Sequence, residues 1–182
     1  MTPTEEAAGV LAMAELLYSD DQVKAAVKGL AADIVRQTQG EDLLVLCVMN
    51  GGLIVTGLLL PHLPNLLRLD YLHATRYRDQ IQGDKLHWVA EPRHSLAGQN
   101  VLVMDDIFDE GHTLKAICAH CEMRGAKKVY SAVLVNKLHN RKPDSFIPHF
   151  SGLDVPDRYI FGSGMDYKGY LRNIPGIYAV PA

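Results

Sequence analysis

Cysteine is scarce in this chain and odd in number. Three thiols, Cys47, Cys118 and Cys121, exclude a disulfide framework in which every cysteine is paired. Excess positive charge is also missing: 18 Lys and Arg face 21 Asp and Glu, a formal net charge of -3, which argues against nonspecific nucleic-acid binding. No run of 18 apolar residues suggests a membrane span, so neither a membrane nor a nucleic acid is expected as a partner. The opening Met1-Thr2-Pro3-Thr4-Glu5-Glu6 lacks the basic start and apolar core of a signal peptide, and a cytoplasmic location is expected. No histidine falls in an H-E-x-x-H pattern, which disfavours a zinc hydrolase. Cys118-Ala-His-Cys121 is formally a C-x-x-C. Its thiols lie on the apolar stripe of a helix with no second ligand pair at metal spacing, and they read as core packing.

What is present is an ordinary globular composition, 48% hydrophobic and 21% charged over 182 residues, enough for one well-buried domain spanning 1-182. Residues 4 to 18 read as a helix, and Ser19 with Asp20 starts a second whose apolar positions are Val23, Val27, Leu30 and Ile34. Leu43 to Met49 is a continuous apolar run typical of a central parallel strand, followed by Asn50-Gly51-Gly52 and an apolar helix to Leu60. Strands are expected over 66–74, 86–89, 101–104, 128–135 and 176–180, with a helix from about Leu114 to Gly125. No repeat, low-complexity tract or linker interrupts this alternation. It implies an α/β fold: a mainly parallel central sheet flanked by helices, with a small C-terminal hood over roughly 138–182.

The chemistry gathers after the strand Val101-Leu-Val-Met104. Asp105 and Asp106 stand where that strand is expected to leave the core, followed by Asp109-Glu110-Gly111-His112-Thr113 and then the helical stripe Leu114, Ile117, Cys118, Cys121. Backbone N–H groups at a helix start favour an anion such as phosphate, and Gly111 lets the main chain approach it. Paired carboxylates suit sugar hydroxyls or a divalent cation. A ribose phosphate satisfies both requirements. The alternative is a helix-capping acidic turn with no ligand.

This stretch resembles the 5-phosphoribosyl-1-pyrophosphate (PRPP) signature of type I phosphoribosyltransferases, and the similarity extends over roughly Leu43 to Val180. The segment Val155-Pro-Asp-Arg-Tyr159-Ile160-Phe-Gly-Ser-Gly-Met-Asp166-Tyr167 is similar to the hood of the hypoxanthine-guanine branch. The resemblance implies purine salvage: Mg2+-dependent transfer of the 5-phosphoribosyl group from PRPP to a 6-oxopurine. It assigns PRPP binding to Asp105, Asp106, Asp109, Glu110, Gly111, His112 and Thr113, and pyrophosphate binding to Asn50, Gly51 and Arg172. Lys137, Tyr159, Ile160 and Asp166 are implied at the purine, with Asp105, Asp106 and Asp166 at the metal and Asp109 as general base. The matching bond for the family's non-proline cis peptide is Met49-Asn50. The polar stretch from Thr75 to Asp84 corresponds to a flexible loop that closes over the reacting atoms, with Arg76-Tyr77 where Ser-Tyr is usual. A homodimer or homotetramer is implied as well.

Three positions depart from the usual pattern. Asn50 stands where many relatives carry a basic residue, Glu110 where Thr or Ser is usual, and His112 where Lys or Asn is common. A carboxylate repels phosphate, so Glu110 is expected to point away, leaving main-chain donors, His112 and Thr113 to bind it. Asp109 would act better as a base with its pKa raised by burial or neighbouring carboxylates. Two other readings stay open: a phosphoribosyltransferase-fold regulator that senses nucleotides, and a xanthine-preferring transferase. A phospho-receiver domain fits poorly, because its acidic pair belongs after the first strand.

Overall fold

The computed structural model describes residues 2–64, 66–76, 86–142 and 146–181. Capping boxes start the first two helices: Thr2 with Glu5 opens α1 (Pro3–Met13), and Ser19 with Gln22 opens α2 (Asp20–Thr38). The first helix is shorter than its composition suggests. Glu15–Tyr18 forms strand β1, which pairs antiparallel with β9 (Ile177–Ala179). Main-chain pairing with a segment far away in sequence outweighs the weak local preference of four residues. Along α2 the expected stripe Val23, Val27, Leu30 and Ile34 is buried, each side chain contributing about 1.5–3 kcal/mol on leaving water.

Strand β2 (Leu43–Val48) is buried at every residue, between β3 (Leu67–Arg76) and β5 (Asn100–Phe108). The main sheet runs β4-β3-β2-β5-β6-β7, with β4 at Leu86–Ala90, β6 at Lys128–Leu138 and β7 at Phe150–Pro156. Every neighbouring pair is parallel except β3 with β4. Alternation along the strands divides the core. Val45, Leu102 and Met104 pack with α2 and α3 (Gly52–Leu59), while Leu44, Leu46, Val101 and Val103 pack with α4 (His112–Met123). Helices therefore cover both faces, as a parallel sheet requires.

Three boundaries differ from the expectation, and each matters for the site. Strand β5 does not end at Met104: pairing of Asp105, Ile107 and Phe108 with Val133, Val135 and Asn136 carries it four residues further. Both carboxylates thus stand on a strand. Likewise β6 continues to Leu138, placing Lys137 within the strand and buried. The hood is a three-stranded antiparallel sheet, β1-β9-β8, with β8 at Ile160–Phe161. It borrows one strand from the N-terminal segment, and β7, inside the range expected for the hood, belongs to the main sheet.

All three cysteines are free and buried. Burial pushes the Cys118 thiol up to about 12 and the Cys121 thiol to about 11, which leaves almost no thiolate at neutral pH. Iodoacetamide at pH 8 is expected to leave both unmodified in the folded protein and to alkylate both in urea, as read by mass spectrometry. Rapid labelling without denaturant would contradict their place in the core.

Candidate active site

Successive residues of a strand face opposite ways, so Asp106 shares the face of Met104 and Asp105 that of Val103. Asp106 is buried beside the turn after β2: a Cβ added to Gly51 would lie 1.9 Å from its Oδ2. Only glycine leaves that carboxylate its place. The peptide bond preceding this turn, Met49–Asn50, is cis. Asp105 Oδ1 accepts the Asp106 N–H at 2.9 Å. Burial first, and then the charge of Asp106, hold the Asp105 carboxyl well above its ordinary value, and burial raises Asp106 also. An acidic pair of this kind, one carboxylate buried and the other half-buried, gains from any ligand that donates hydrogen bonds or positive charge.

After β5 the chain turns through Asp109 and Glu110 to Gly111, whose φ of 78° and whose closeness to Phe108 admit no side chain: a Cβ there would lie 2.1 Å from that ring. Gly111 is the N-cap of α4, and among the described residues no side chain caps the helix. The acidic turn is therefore no capping device. The first amides of α4, from His112 and Thr113 onward, have no intrahelical acceptor and form a ready anion site. Glu110 is exposed, and His112 and Thr113 are half-buried.

Asp109 is occupied differently. Lys137 Nζ donates to its Oδ2 at 2.6 Å, and His139 Nε2 lies 2.7 Å from its Oδ1. Burial pushes the Asp109 carboxyl up, but the hydrogen bonds from Lys137 and His139 more than offset this, and it sits below its ordinary value. The raised value that would suit a general base is therefore not what the free site gives. His139 carried no motif of its own. The available signal was its spacing from Lys137: in extended chain, residues two apart share a face.

A cavity of about 240 Å³ is lined by Asp106, Ile107, Asp109, Lys137, Tyr159, Ile160, Met165 and Asp166. It brings together residues from β5, β6 and the hood. Ile160 is buried on β8, whereas Tyr159 is exposed at the rim, its ring edge-on to Tyr167 at 5.6 Å. Arg172 joins the acids: Nη2 lies 2.5 Å from Asp166 Oδ1, Nη1 lies 3.9 Å from Asp106 Oδ2, and Nη1 donates to the Gly164 carbonyl at 2.7 Å. Of the expected loop, Arg76 closes β3, and Tyr77 with the rest of 77–85 lies outside the described residues. A larger hollow of about 620 Å³, between α3 and β3, includes Leu53, Leu60, Leu69 and Tyr71 and lies outside this cluster of acids.

The donor set fits a hard cation. Mg2+ takes oxygen ligands, commonly one or two carboxylates completed by water and substrate phosphates; Asp105 with Asp106 offers such a pair, and Asp166 lines the same cavity as Asp106. Asp109, His139 and Asp157 also bring ligand atoms within 4.8 Å of one another. They fit a metal less well, because both carboxylates of that set are already paired, Asp109 with Lys137 and Asp157 with the Arg141 fork at 2.7 and 2.8 Å, whereas in the other set Asp166 alone has a cation this close, Arg172 at 2.5 Å.

Comparison with known proteins agrees with this fold. The family model for the phosphoribosyl transferase domain matches residues 14–168. Hypoxanthine-guanine phosphoribosyltransferase of Bos taurus is 31% identical over 157 residues, covering 80% of this chain and 71% of that protein. Phosphoribosyltransferase domain-containing protein 1 of Homo sapiens is 29% identical over 164 residues, 85% of this chain and 72% of that one. The crystal structure of a hypoxanthine-guanine phosphoribosyltransferase from Bacillus anthracis str. 'Ames Ancestor' superposes with a TM-score of 0.83 at 29% identity, covering 92% of this chain and 97% of the other. This chain therefore belongs to the phosphoribosyl transferase domain family, on its hypoxanthine-guanine branch.

Proposed function

We propose that this protein salvages purines by displacing pyrophosphate from PRPP with a ring nitrogen of hypoxanthine or guanine, giving a nucleoside monophosphate. The observation that carries this reading is the single cavity in which Asp106, Asp109, Lys137, Tyr159, Ile160 and Asp166 converge beside the Gly111 turn. Amides of the turn through Thr113 hold the 5-phosphate, and Asp105 and Asp106 accept hydrogen bonds from the ribose hydroxyls. The same carboxylates favour the positive charge that grows on the sugar as the glycosidic bond opens. Asn50, Gly51 and Arg172 receive the departing pyrophosphate. When bound, Mg2+ held by Asp105, Asp106 and Asp166 supplies charge to that leaving group.

On the purine side, Lys137 donates to the exocyclic oxygen, Tyr159 stacks on the ring and the Ile160 main chain meets its edge. Asp109 takes the ring-nitrogen proton. While Lys137 holds it, this carboxylate is a weak base; when Lys137 turns to the purine, its basicity rises as the base arrives.

An assembly of two or four copies suits the exposed Leu53, Ile54, Leu69 and Tyr71. Among the described residues no helix is long and apolar enough to cross a membrane, and action in the cytoplasm fits this.

The test incubates the protein with PRPP, Mg2+ and either hypoxanthine, guanine or xanthine. Nucleotide and pyrophosphate in equal amounts from the first two are expected. Product from xanthine alone would shift the specificity, and none from any base would favour a nucleotide-sensing role. Gly51→Ala places its Cβ on the Asp106 carboxylate. It should lower kcat/KM for PRPP about tenfold or more with the fold retained, as circular dichroism would report.

A further inference from the structure

We propose that His139 is a positioning residue for the transfer: its Nε2–H keeps Asp109 aimed at the purine when Lys137 leaves that carboxylate for the purine oxygen. The inference deepens the transferase reading and rests on the roles given above to Asp109 and Lys137.

The side chain of His139 is 4% exposed and held from both sides. Its Nδ1 accepts the main-chain N–H of Arg141 at 3.1 Å, so the ring proton belongs on Nε2, which faces Asp109 Oδ1 at 2.7 Å. Arg141 is itself fixed by the fork of its guanidinium onto Asp157. The two donors to Asp109 use different oxygens: His139 holds Oδ1 and Lys137 holds Oδ2.

That division has a chemical consequence. Lysine carries its ammonium on a flexible stem and can swing to a nearby acceptor, whereas this imidazole has no such freedom. Once Lys137 has moved, Oδ2 is open to the ring N–H of the purine and Oδ1 stays anchored. Without His139 the carboxylate would turn about its own torsions, and a misplacement of about 1 Å is enough to cost roughly 10²-fold in rate. Lys137, Arg141 and Lys142 are the cations that bear on this group, with Glu110 and Asp157 the neighbouring acids.

Kinetics of His139→Ala and His139→Gln, with PRPP, Mg2+ and hypoxanthine, test the inference, alongside carbon-13 titration of the Asp109 carboxyl in the protein without substrate. Glutamine keeps an N–H donor of similar reach. His139→Ala should lower kcat about 10- to 100-fold with KM for PRPP little changed, and should move the Asp109 titration to higher pH. His139→Gln should restore kcat to within a few-fold. Should the alanine variant not fold, His139→Phe fills the same space without a donor and takes its place. An unmoved Asp109 titration, or equal losses in the glutamine variant and the donorless one, would overturn the proposal. A wild-type protein that makes no nucleotide defeats the transferase reading instead, and the carbon-13 titration then decides whether His139 holds Asp109.

Discussion

Asp109→Asn is expected to lower kcat by about 10²-fold or more while leaving the protein folded. Asparagine keeps the shape, but its single amide oxygen can accept from Lys137 or from His139 and not from both, and it cannot take a proton from the purine. A mere loss of purine contact would raise KM for the base and spare kcat, so the split between the two parameters separates catalysis from binding. The same substitution has a signed effect on stability. The folded-state pKa of Asp109 lies below the ordinary value, so its contribution is present above that ordinary value and is lost as pH falls through the lower one. Asp109→Asn should therefore reduce Tm near pH 7, where it leaves the buried Lys137 ammonium without its counter-charge, and the difference should narrow in acid. Thermal melts at pH 7 and pH 3 read this directly. Equal kcat in the two proteins, with chemistry shown to limit turnover, would remove the proton-transfer role.

The second large effect has the opposite sign in stability. Asp105→Asn should cut kcat/KM for PRPP by about tenfold or more and at the same time raise Tm at neutral pH. Burial and the charge of Asp106 hold the Asp105 carboxyl well above its ordinary value. A carboxyl raised in this way favours the fold fully below its unfolded-state value and loses that contribution as pH rises through the folded one. At pH 7 the acidic pair is consequently a strain on the free protein, relieved when sugar hydroxyls or Mg2+ arrive. A neutral amide removes the strain and also the attraction for the ligand. For a chain of this length each kcal/mol corresponds to about 2–4 °C in Tm. Melting curves at pH 5 and pH 8 should show the mutant's advantage growing with pH, and a mutant less stable at pH 8 would contradict the account.

These two carboxylates also mark where the sequence was informative and where it was not. Val101 to Met104 announces a buried strand by its apolar side chains alone, and Leu114, Ile117, Cys118 and Cys121 announce a helix face by spacing. Asp105 to Phe108 gives no such notice. Its pairing with β6 makes it strand, and pairing is a property of two distant segments. Glu15–Tyr18 fails for the same reason, since only β9 makes it extended. The candidate site was legible because a turn that exposes helix amides needs a glycine at positive φ, and acids flanking it are unusual enough to register. His139 sits in a polar connection whose composition says nothing, and beyond its two-residue spacing from Lys137 it is the fold that carries it to Asp109. The downward shift of Asp109 was equally hidden, because its cause lies on another strand.

The most direct measurement is a crystal structure of the protein with PRPP, Mg2+ and a non-reactive 6-oxopurine analogue. The 5-phosphate is expected on the main-chain amides from Gly111 to Thr113, the ribose hydroxyls on Asp105 and Asp106, and the purine between Tyr159 and Lys137, within reach of Asp109. A phosphate bound elsewhere, with that turn empty and the two carboxylates facing no hydroxyl, would contradict this arrangement.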